Sequence, residues 1–164
     1  MLSKEEAHPL LWQKIEHVRV GMLTTVGPNG ALLSRPMSNQ QVDEDGVLWF
    51  FVSDEAAVSN QIASSPNVNV SFAAPEDSLY VSVAGTAALV KDKEKIKAMW
   101  NPLVGAWFPK GIEDPHVTLI GVTIDSAEYW DSDKSRMMQL FAMAKAAVTG
   151  KPPTDIGDHQ KIVL

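Results

Sequence analysis

The sequence of 164 residues contains no cysteine and no long hydrophobic run. Without cysteine there are no disulfides, no thiolate metal ligands and no cysteine nucleophile. No stretch approaches the roughly 18 apolar residues that a membrane-spanning helix needs, and the N-terminal residues are acidic rather than signal-like, so we expect a cytoplasmic protein. The formal net charge of −6 and the lack of a basic cluster give little attraction to nucleic acid or to anionic membranes.

Motifs for several kinds of chemistry are also missing. No glycine-rich phosphate loop occurs, so we expect any cofactor to be bound by strands and a short helix start. No serine lies in a nucleophile-elbow pattern, which argues against triad hydrolysis. The four histidines lie far apart without ligand spacing, so we expect no metal site. They are His8, His17, His116 and His159.

The chain does contain about seven short β-type runs separated by turn residues. Because alternating βα units are absent, this pattern predicts a mainly β (α+β) fold, a small antiparallel barrel flanked by short helices. We expect one domain over residues 1–150 and a linker-like tail over 151–164. The predicted strands are 20–26, 31–37, 47–52, 68–72, 79–90, 117–124 and 127–130, with a bulge or bend at Gly85.

Apolar periodicity and capping residues predict the helices. The first is expected to begin near His8, because Pro9 fits the first helical position better than the helix interior. Asp92 is expected to cap a helix over 93–100. A last amphipathic helix is predicted over 135–148.

The segment 33–62 joins an arginine-bearing strand, an aromatic strand and a helix start. Arg35 has five N–H donors to satisfy, and Pro36 cannot donate to a strand ladder, so this strand should lie at an edge or a bulge. A helix start offers unpaired N–H groups that attract anions. We predict that Arg35 binds an anion such as a phosphate, with a plain surface arginine as the alternative. Ser53 is a second phosphate candidate, whereas Asp54 is expected to cap the helix.

Aromatic side chains can either stack on a flat heterocycle or fill the core. We expect Trp49 and Phe50 to be core residues, since that is the common fate of aromatics on a strand. Trp107 and Phe108 lie among loop-breaking residues instead. This setting favours a pocket lining or a subunit interface.

Six short motifs follow one another in a specific order and spacing. They are Gly21-Met22-Leu23-Thr24-Thr25, Ser34-Arg35-Pro36-Met37, Leu48-Trp49-Phe50-Phe51, Pro66-Asn67-Val68-Asn69-Val70-Ser71-Phe72, Tyr80-Val81-Ser82-Val83-Ala84-Gly85-Thr86-Ala87, and the stretch from Ala106-Trp107-Phe108-Pro109 to Glu128-Tyr129-Trp130-Asp131. With these motifs, nearly the whole chain resembles the general stress protein branch of the pyridoxamine 5'-phosphate oxidase-like superfamily, the FMN-binding split barrels.

The resemblance implies a homodimer of six-stranded antiparallel split β-barrels that binds FMN in grooves between the two subunits. FAD or riboflavin is not excluded as the flavin. No catalytic side chain is implied, because the flavin supplies the redox chemistry. The cofactor-binding residues predicted for this chain are Arg35, Pro36, Met37, Phe50, Phe51, Val52, Ser53, Ser59 and Trp107.

Two positions depart from the pattern of these relatives. Val52 stands where they usually have threonine, and Val58 stands where they usually have a phosphate-facing lysine. Each lost charge-assisted hydrogen bond is worth about 1.5 to 3 kcal/mol, which predicts roughly ten- to several-hundred-fold weaker FMN binding. Ser59 or the helix-start amides would offset part of that loss.

Two functions follow as hypotheses. The first is a stress-related FMN-binding protein that acts as a flavin-dependent oxidoreductase on an unknown substrate. The alternative is a non-enzymatic split-barrel binding module with a weakened or lost flavin site. A related barrel enzyme that uses a deazaflavin or haem is neither supported nor excluded. We do not predict pyridoxamine 5'-phosphate oxidation, because the chain lacks the arginine- and histidine-bearing C-terminal segment of that enzyme.

Overall fold

A computed structural model describes residues 4–38, 40–43, 45–131, 143–145, 147–151 and 158–163. Six long strands make up most of the fold, and every pair of neighbouring strands is antiparallel. These strands are β1 (Val20–Val26), β2 (Leu32–Ser38), β4 (Val47–Ser53), β5 (Asn67–Ala74), β6 (Leu79–Val90) and β7 (Val117–Asp131). Two shorter strands, β3 (Gln41–Val42) and β8 (Asp158–Val163), extend the sheet.

The paired strands run in the order β2-β1-β5-β6-β7-β4-β3, and β8 pairs with β7. The sheet curls until β2 and β4 touch, although they are not neighbours in this order. The predicted six-stranded antiparallel split barrel is therefore confirmed. β2 is an edge strand, as expected from Pro36, which lies opposite Met22 of β1.

Four helices within residues 4–105 flank the sheet. Asp92 caps α3 as predicted, because its carboxylate accepts hydrogen bonds from the N–H groups of Glu94 and Lys95. The segment after Trp100, whose loop-breaking residues surround Trp107 and Phe108, contains α4, which Asn101 caps in the same manner. The helices are α1 (Lys4–Ile15), α2 (Ala57–Ser64), α3 (Lys93–Met99) and α4 (Pro102–Gly105).

The predicted start of α1 near His8 is wrong. The helix begins at Lys4 and therefore holds Pro9 in its interior. The reason is burial, since Ala7, Leu11 and Ile15 follow one another every four residues and all three are inaccessible to solvent. Burying this stripe outweighs the one backbone hydrogen bond that a proline forgoes.

Two apolar clusters lie on opposite faces of β4. Leu48, Phe50 and Val52 point into the main core, together with residues of α1 and α2. Trp49 and Phe51 point the other way, into a smaller cluster under α3 and α4. The predicted strand over residues 47–52 is confirmed, and it is buried on both faces.

Residues 117–124 and 127–130, predicted as two strands, form the single strand β7. The register between β6 and β7 shifts at Gly85, where Asp125 is one extra residue on β7. A side chain at Gly85 would meet the carbonyl oxygen of Thr123 at 2.3 Å, so the close approach requires glycine. The predicted bulge at Gly85 is confirmed, and the bulge lets β7 continue rather than end.

The prediction of a linker from Lys151 onward is wrong for residues 158–163. These residues form β8, which pairs with residues Ser126 to Asp131 of β7. This stretch follows the part of β7 that pairs with β4. The predicted helix 135–148 lies largely outside the described residues, within which 143–145 and 147–149 are helical. No helix among the described residues has the length and apolar character needed to cross a membrane.

Candidate functional site

Arg35 projects from the edge strand β2 toward α2. Its Nη1 donates to the hydroxyl of Thr25 at 2.6 Å and to the carbonyl oxygen of Leu23 at 3.3 Å. Its Nη2 donates to Oε1 of Gln61 in α2 at 2.9 Å. The guanidinium is therefore held between the sheet and the helix. Burial lowers the pKa of Arg35 from its usual value, but an arginine remains charged at neutral pH.

The partners of Arg35 are all uncharged. No carboxylate in the described part of the chain forms an ion pair with Arg35. The three hydrogen bonds use three of the five N–H groups of the guanidinium, so one on Nη2 and the one on Nε have no acceptor among the described residues. This arrangement offers a positive charge and two donors to an anion.

A turn connects β4 to α2 beside this arginine. The helix begins at Ala57, has no side-chain cap and has no acidic residue in its first turn. The hydroxyl of Ser59 donates to the carbonyl oxygen of Ser53 at 2.8 Å, and the hydroxyl of Ser53 accepts from the N–H of Glu55 at 3.2 Å. Both serine side chains therefore brace the turn that precedes the helix.

Asp54 is not the helix cap that the sequence predicted, because the N-cap residue is Ala56. Its carboxylate binds Lys91 and also lies 2.8 Å from Nδ1 of His116. These two hydrogen-bond donors, Lys91 foremost, hold the pKa of Asp54 below its usual value. The Asp54 side chain thus ties the turn to Lys91, just after β6, and to His116, just before β7. A carboxylate engaged by two remote donors is no longer available to cap a local helix.

Several aromatic residues pack in the smaller apolar cluster, on the face of β4 away from the main core. Phe51 meets the ring of Trp100 edge to face at 5.8 Å, and Trp100 lies 6.0 Å from Phe108. Val104 and Phe108 are both buried in the smaller apolar cluster and so anchor the segment that carries Trp107. Trp107 between them is 80% exposed, so a rigid support presents a bare indole to solvent.

The nine predicted cofactor-binding residues fall into separate groups within one chain. Arg35 and Met37 lie on the face of β2 that packs toward α2 and the main core, and Pro36 points away from it. Phe50 and Val52 are buried inside the barrel, which agrees with the expectation of a core role for Phe50. The other four predicted residues are Phe51, Ser53 and Ser59, whose contacts are given above, and the exposed Trp107.

Thr25 and Gln61 escaped prediction, although both contact Arg35 directly. Thr25 lies two residues along β1 from Leu23, the residue paired with Arg35, and its side chain is fully buried. Gln61 follows the buried Val58 by three residues, a spacing that places both on one helix face. That spacing was a usable signal for Gln61.

No three His, Asp or Glu residues in the described part of the chain lie close enough together to hold a metal ion.

The fold and this cluster define an antiparallel split-barrel protein with an unneutralised arginine at the barrel edge. A family model described as pyridoxamine 5'-phosphate oxidase like matches residues 6–154. The chain belongs to this family, which confirms the resemblance noted in its sequence. It is 32% identical over 142 residues to the protein bli-3 of Neurospora crassa, a match that covers 81% of this chain and 68% of that protein.

Crystal structures of general stress proteins share the fold. A candidate general stress protein 26 from Jannaschia sp. CCS1 is 29% identical with a TM-score of 0.72, covering 93% of this chain and 95% of that one. The general stress FMN/FAD binding protein of Xanthomonas citri is 28% identical with a TM-score of 0.68, covering 80% of this chain and 93% of that one. The chain is thus similar to general stress proteins along most of its length.

Proposed function

We propose that this protein binds FMN, with the phosphate at Arg35. The observation that carries the proposal is the guanidinium itself, which neutral partners hold in place while two of its N–H groups have no acceptor among the described residues. The start of α2, which no side chain caps, adds backbone N–H groups at the turn between β4 and α2. The similar protein of Xanthomonas citri carries FMN/FAD binding in its name, which supports a flavin as the occupant.

We further propose that the site lies between two copies of the chain. Within one chain Arg35 binds Gln61 of α2, a helix that packs in the main core, whereas Trp107 adjoins Phe108 of the smaller cluster on the other face of β4. A partner copy that brings its own Trp107 to the Arg35 side would give a flat heterocycle an aromatic face next to a phosphate site. Burial of an indole that is 80% exposed in the single chain would favour this association.

The activity that fits such a site is a flavin-dependent oxidoreductase reaction. A bound flavin supplies electron-transfer chemistry, and the protein's own residues bind, orient and exclude water. Arg35 would hold the phosphate, the Ser53 turn would shape the phosphate end, and Trp107 would cover the ring system. No side chain is assigned as an acid or base.

A second candidate is a binding module with a weakened flavin site. Val52 and Val58 are each only 7% exposed and pack in the main core, where a hydroxyl and an ammonium would serve the phosphate in similar proteins. Filling both positions with apolar side chains strengthens the core at the expense of anion binding. Flavin titration discriminates between the two candidates, because a pure binding module would take up FMN weakly or not at all.

The decisive experiment compares FMN with riboflavin on the wild-type protein and on Arg35→Ala. We expect the substitution to weaken FMN binding by about tenfold to a hundredfold, because it removes charge-assisted hydrogen bonds to the phosphate. Riboflavin, which lacks the phosphate, should change by less than about threefold. Flavin fluorescence quenching during titration measures both affinities.

Arg19→Ala is the matched control, because Arg19 is exposed and lies outside the cluster. It removes the same charge and should leave both affinities unchanged. Equal losses for FMN and riboflavin in Arg35→Ala would show that Arg35 does not contact the phosphate. A wild-type protein that binds no flavin at high micromolar concentration would eliminate the first candidate.

A further inference from the structure

Three side chains on different elements hydrogen-bond to one another in a closed ring, and Arg35 is one of them. The hydroxyl of Thr25 in β1 lies 2.6 Å from Oε1 of Gln61 in α2. Arg35 in β2 donates to both of these groups, at 2.6 Å to Thr25 and at 2.9 Å to Gln61. We call this set of three residues the arginine clamp. It joins the edge of the barrel to the helix that covers it.

Hydrogen-bond polarity settles the role of each member of the clamp. The guanidinium can only donate, so Thr25 and Gln61 must both present lone pairs to it. The single hydroxyl proton of Thr25 then goes to Gln61 Oε1, its nearest acceptor, whereas the Leu33 carbonyl oxygen lies 3.5 Å away. Two donors therefore converge on Gln61 Oε1, which fixes the orientation of the carboxamide because its NH₂ group could accept neither.

Thr25 and Gln61 are both uncharged, so they hold Arg35 without cancelling its positive charge. A glutamate has the same length and shape as glutamine, and at position 61 it would meet Arg35 as a salt bridge. That salt bridge would orient the guanidinium equally well, but it would cancel its charge. A carboxamide oxygen orients the same group and leaves the positive charge intact.

We propose that Gln61 is a positioning residue that makes this site selective for phosphate-bearing flavins. It fixes the Arg35 guanidinium without neutralising it, with Thr25 as the second support. This inference rests on the proposed function, since it concerns the same site. It adds a residue that contacts no phosphate itself but decides whether the arginine can bind one.

The test is the substitution Gln61→Glu, followed by titration with FMN and with riboflavin. FMN affinity should fall by about tenfold or more, because the new carboxylate competes for the guanidinium and repels the phosphate. Riboflavin affinity should change by less than about twofold. The melting temperature should not fall, because a salt bridge replaces the hydrogen bond. A purely structural role for Gln61 would affect both flavins alike.

Asn60→Glu is the matched control. Asn60 is the preceding residue of α2 and is exposed, so the variant carries the same added charge without a carboxylate in the clamp. It should reduce FMN affinity by less than about threefold, since exposed charges are screened. A loss as large as that of Gln61→Glu would mean that net charge alone explains the effect, and would overturn the proposal.

Gln61→Met separates charge from orientation and covers the case in which the glutamate variant fails to fold. It removes the acceptor without adding a charge, so FMN binding should weaken while riboflavin binding is retained, and the loss should be smaller than that for Gln61→Glu. Unchanged FMN binding in both variants, or parallel losses for FMN and riboflavin, would overturn the role of Gln61 and leave the proposed flavin site standing.

Inorganic phosphate distinguishes failure of this inference from failure of the proposed function. If the wild-type protein binds no flavin, phosphate binding followed by ³¹P NMR tests the clamp alone. Phosphate binding to the wild type that Gln61→Glu abolishes would support the clamp as an anion site with a different occupant. Absence of phosphate binding to the wild type would overturn the clamp together with the flavin proposal.

Discussion

Arg35 shows how much the partners of a residue decide its role. The same side chain beside a carboxylate would be a structural ion pair, but here its hydrogen-bond acceptors are a threonine, a glutamine and a backbone carbonyl. Position 58, where the family resemblance led us to expect a lysine, holds a valine packed in the main core. Within the arginine clamp Arg35 is the one cation that the proposed site would use, which makes the neutrality of Thr25 and Gln61 more important.

Asp54 gives a prediction for the pH dependence of stability. Its folded-state pKa is lowered by Lys91 and His116, so its ionised form stabilises the fold at pH values above its unfolded pKa of about 3.9. This contribution is lost as the pH falls through the lower folded-state pKa. Asp54→Asn should therefore lower the melting temperature at pH 7, and the difference from the wild type should shrink as the pH falls below about 4.

Asp45→Asn is the control for this measurement, because Asp45 is an exposed turn residue. Its thermal profile should follow that of the wild type from pH 7 to pH 3. A gap between Asp54→Asn and the wild type that stays constant down to pH 3 would contradict the assigned role of the Asp54 carboxylate.

Strand β7 organises the fold at the level of elements. It pairs with β6 along nearly its whole length, while its other edge is shared between β4 and β8 in succession. Because two strands share this edge, the backbone groups of a long strand are paired even though no single neighbour runs along its full length. Strand β8 covers the stretch that would otherwise present unpaired backbone groups to solvent.

A chain that ends at residue 157 should show the effect of losing β8. We expect amide hydrogen exchange in residues 126–131 of β7 to accelerate by about tenfold or more, because their cross-strand partners are gone. Residues 117–123 pair with β4 and serve as an internal control that should keep its protection. Mass spectrometry of exchanged peptides resolves the two stretches. Unaltered exchange in residues 126–131 would show that β8 does not protect that edge.

At the scale of the whole molecule, the proposed flavin site requires Arg35 and Trp107 to come together. In a single chain Arg35 is bonded to α2, which packs in the main core, and Trp107 adjoins the smaller cluster on the other face of β4; we propose that two copies of the chain join them. Light scattering should then report a particle of twice the chain mass of 17.9 kDa. A monomer at micromolar concentration would contradict the shared site.

Mixing two defective variants tests the shared site directly. Arg35→Ala and Trp107→Ala should each bind FMN weakly as homodimers, since every groove lacks one of the two residues. After subunit exchange, half of the dimers are mixed and each has one intact groove, so about a quarter of the grooves should recover FMN binding. If both residues served a groove from the same chain, mixing would restore nothing. Unmixed variants at equal total concentration provide the baseline.

Much of the fold was predictable because its determinants are local. Strands β1 and β6 begin and end where their apolar patterns do, and Asp92 caps α3 as its position before the helix indicates. Alternation of apolar residues, turn chemistry and capping act over a few residues, so they are legible in the sequence. The family resemblance, carried by short motifs in order, was confirmed on the same basis.

The candidate site was predictable only in part, because its partners are distant in the sequence. Arg35 was singled out by its own chemistry, but its contacts with Gln61, 26 residues away, and with Thr25 depend on how α2 packs on the barrel. Asp54 does not cap the helix as expected but binds Lys91 and His116, which lie next to the ends of β6 and β7 and are distant in the sequence.

The sequence by itself therefore determined the elements and the residue that supplies the charge, through local propensity and side-chain chemistry. Tertiary structure alone decided which neutral groups surround that charge and which face of β4 each aromatic residue occupies. It did so because packing brings together segments whose proximity no local pattern encodes.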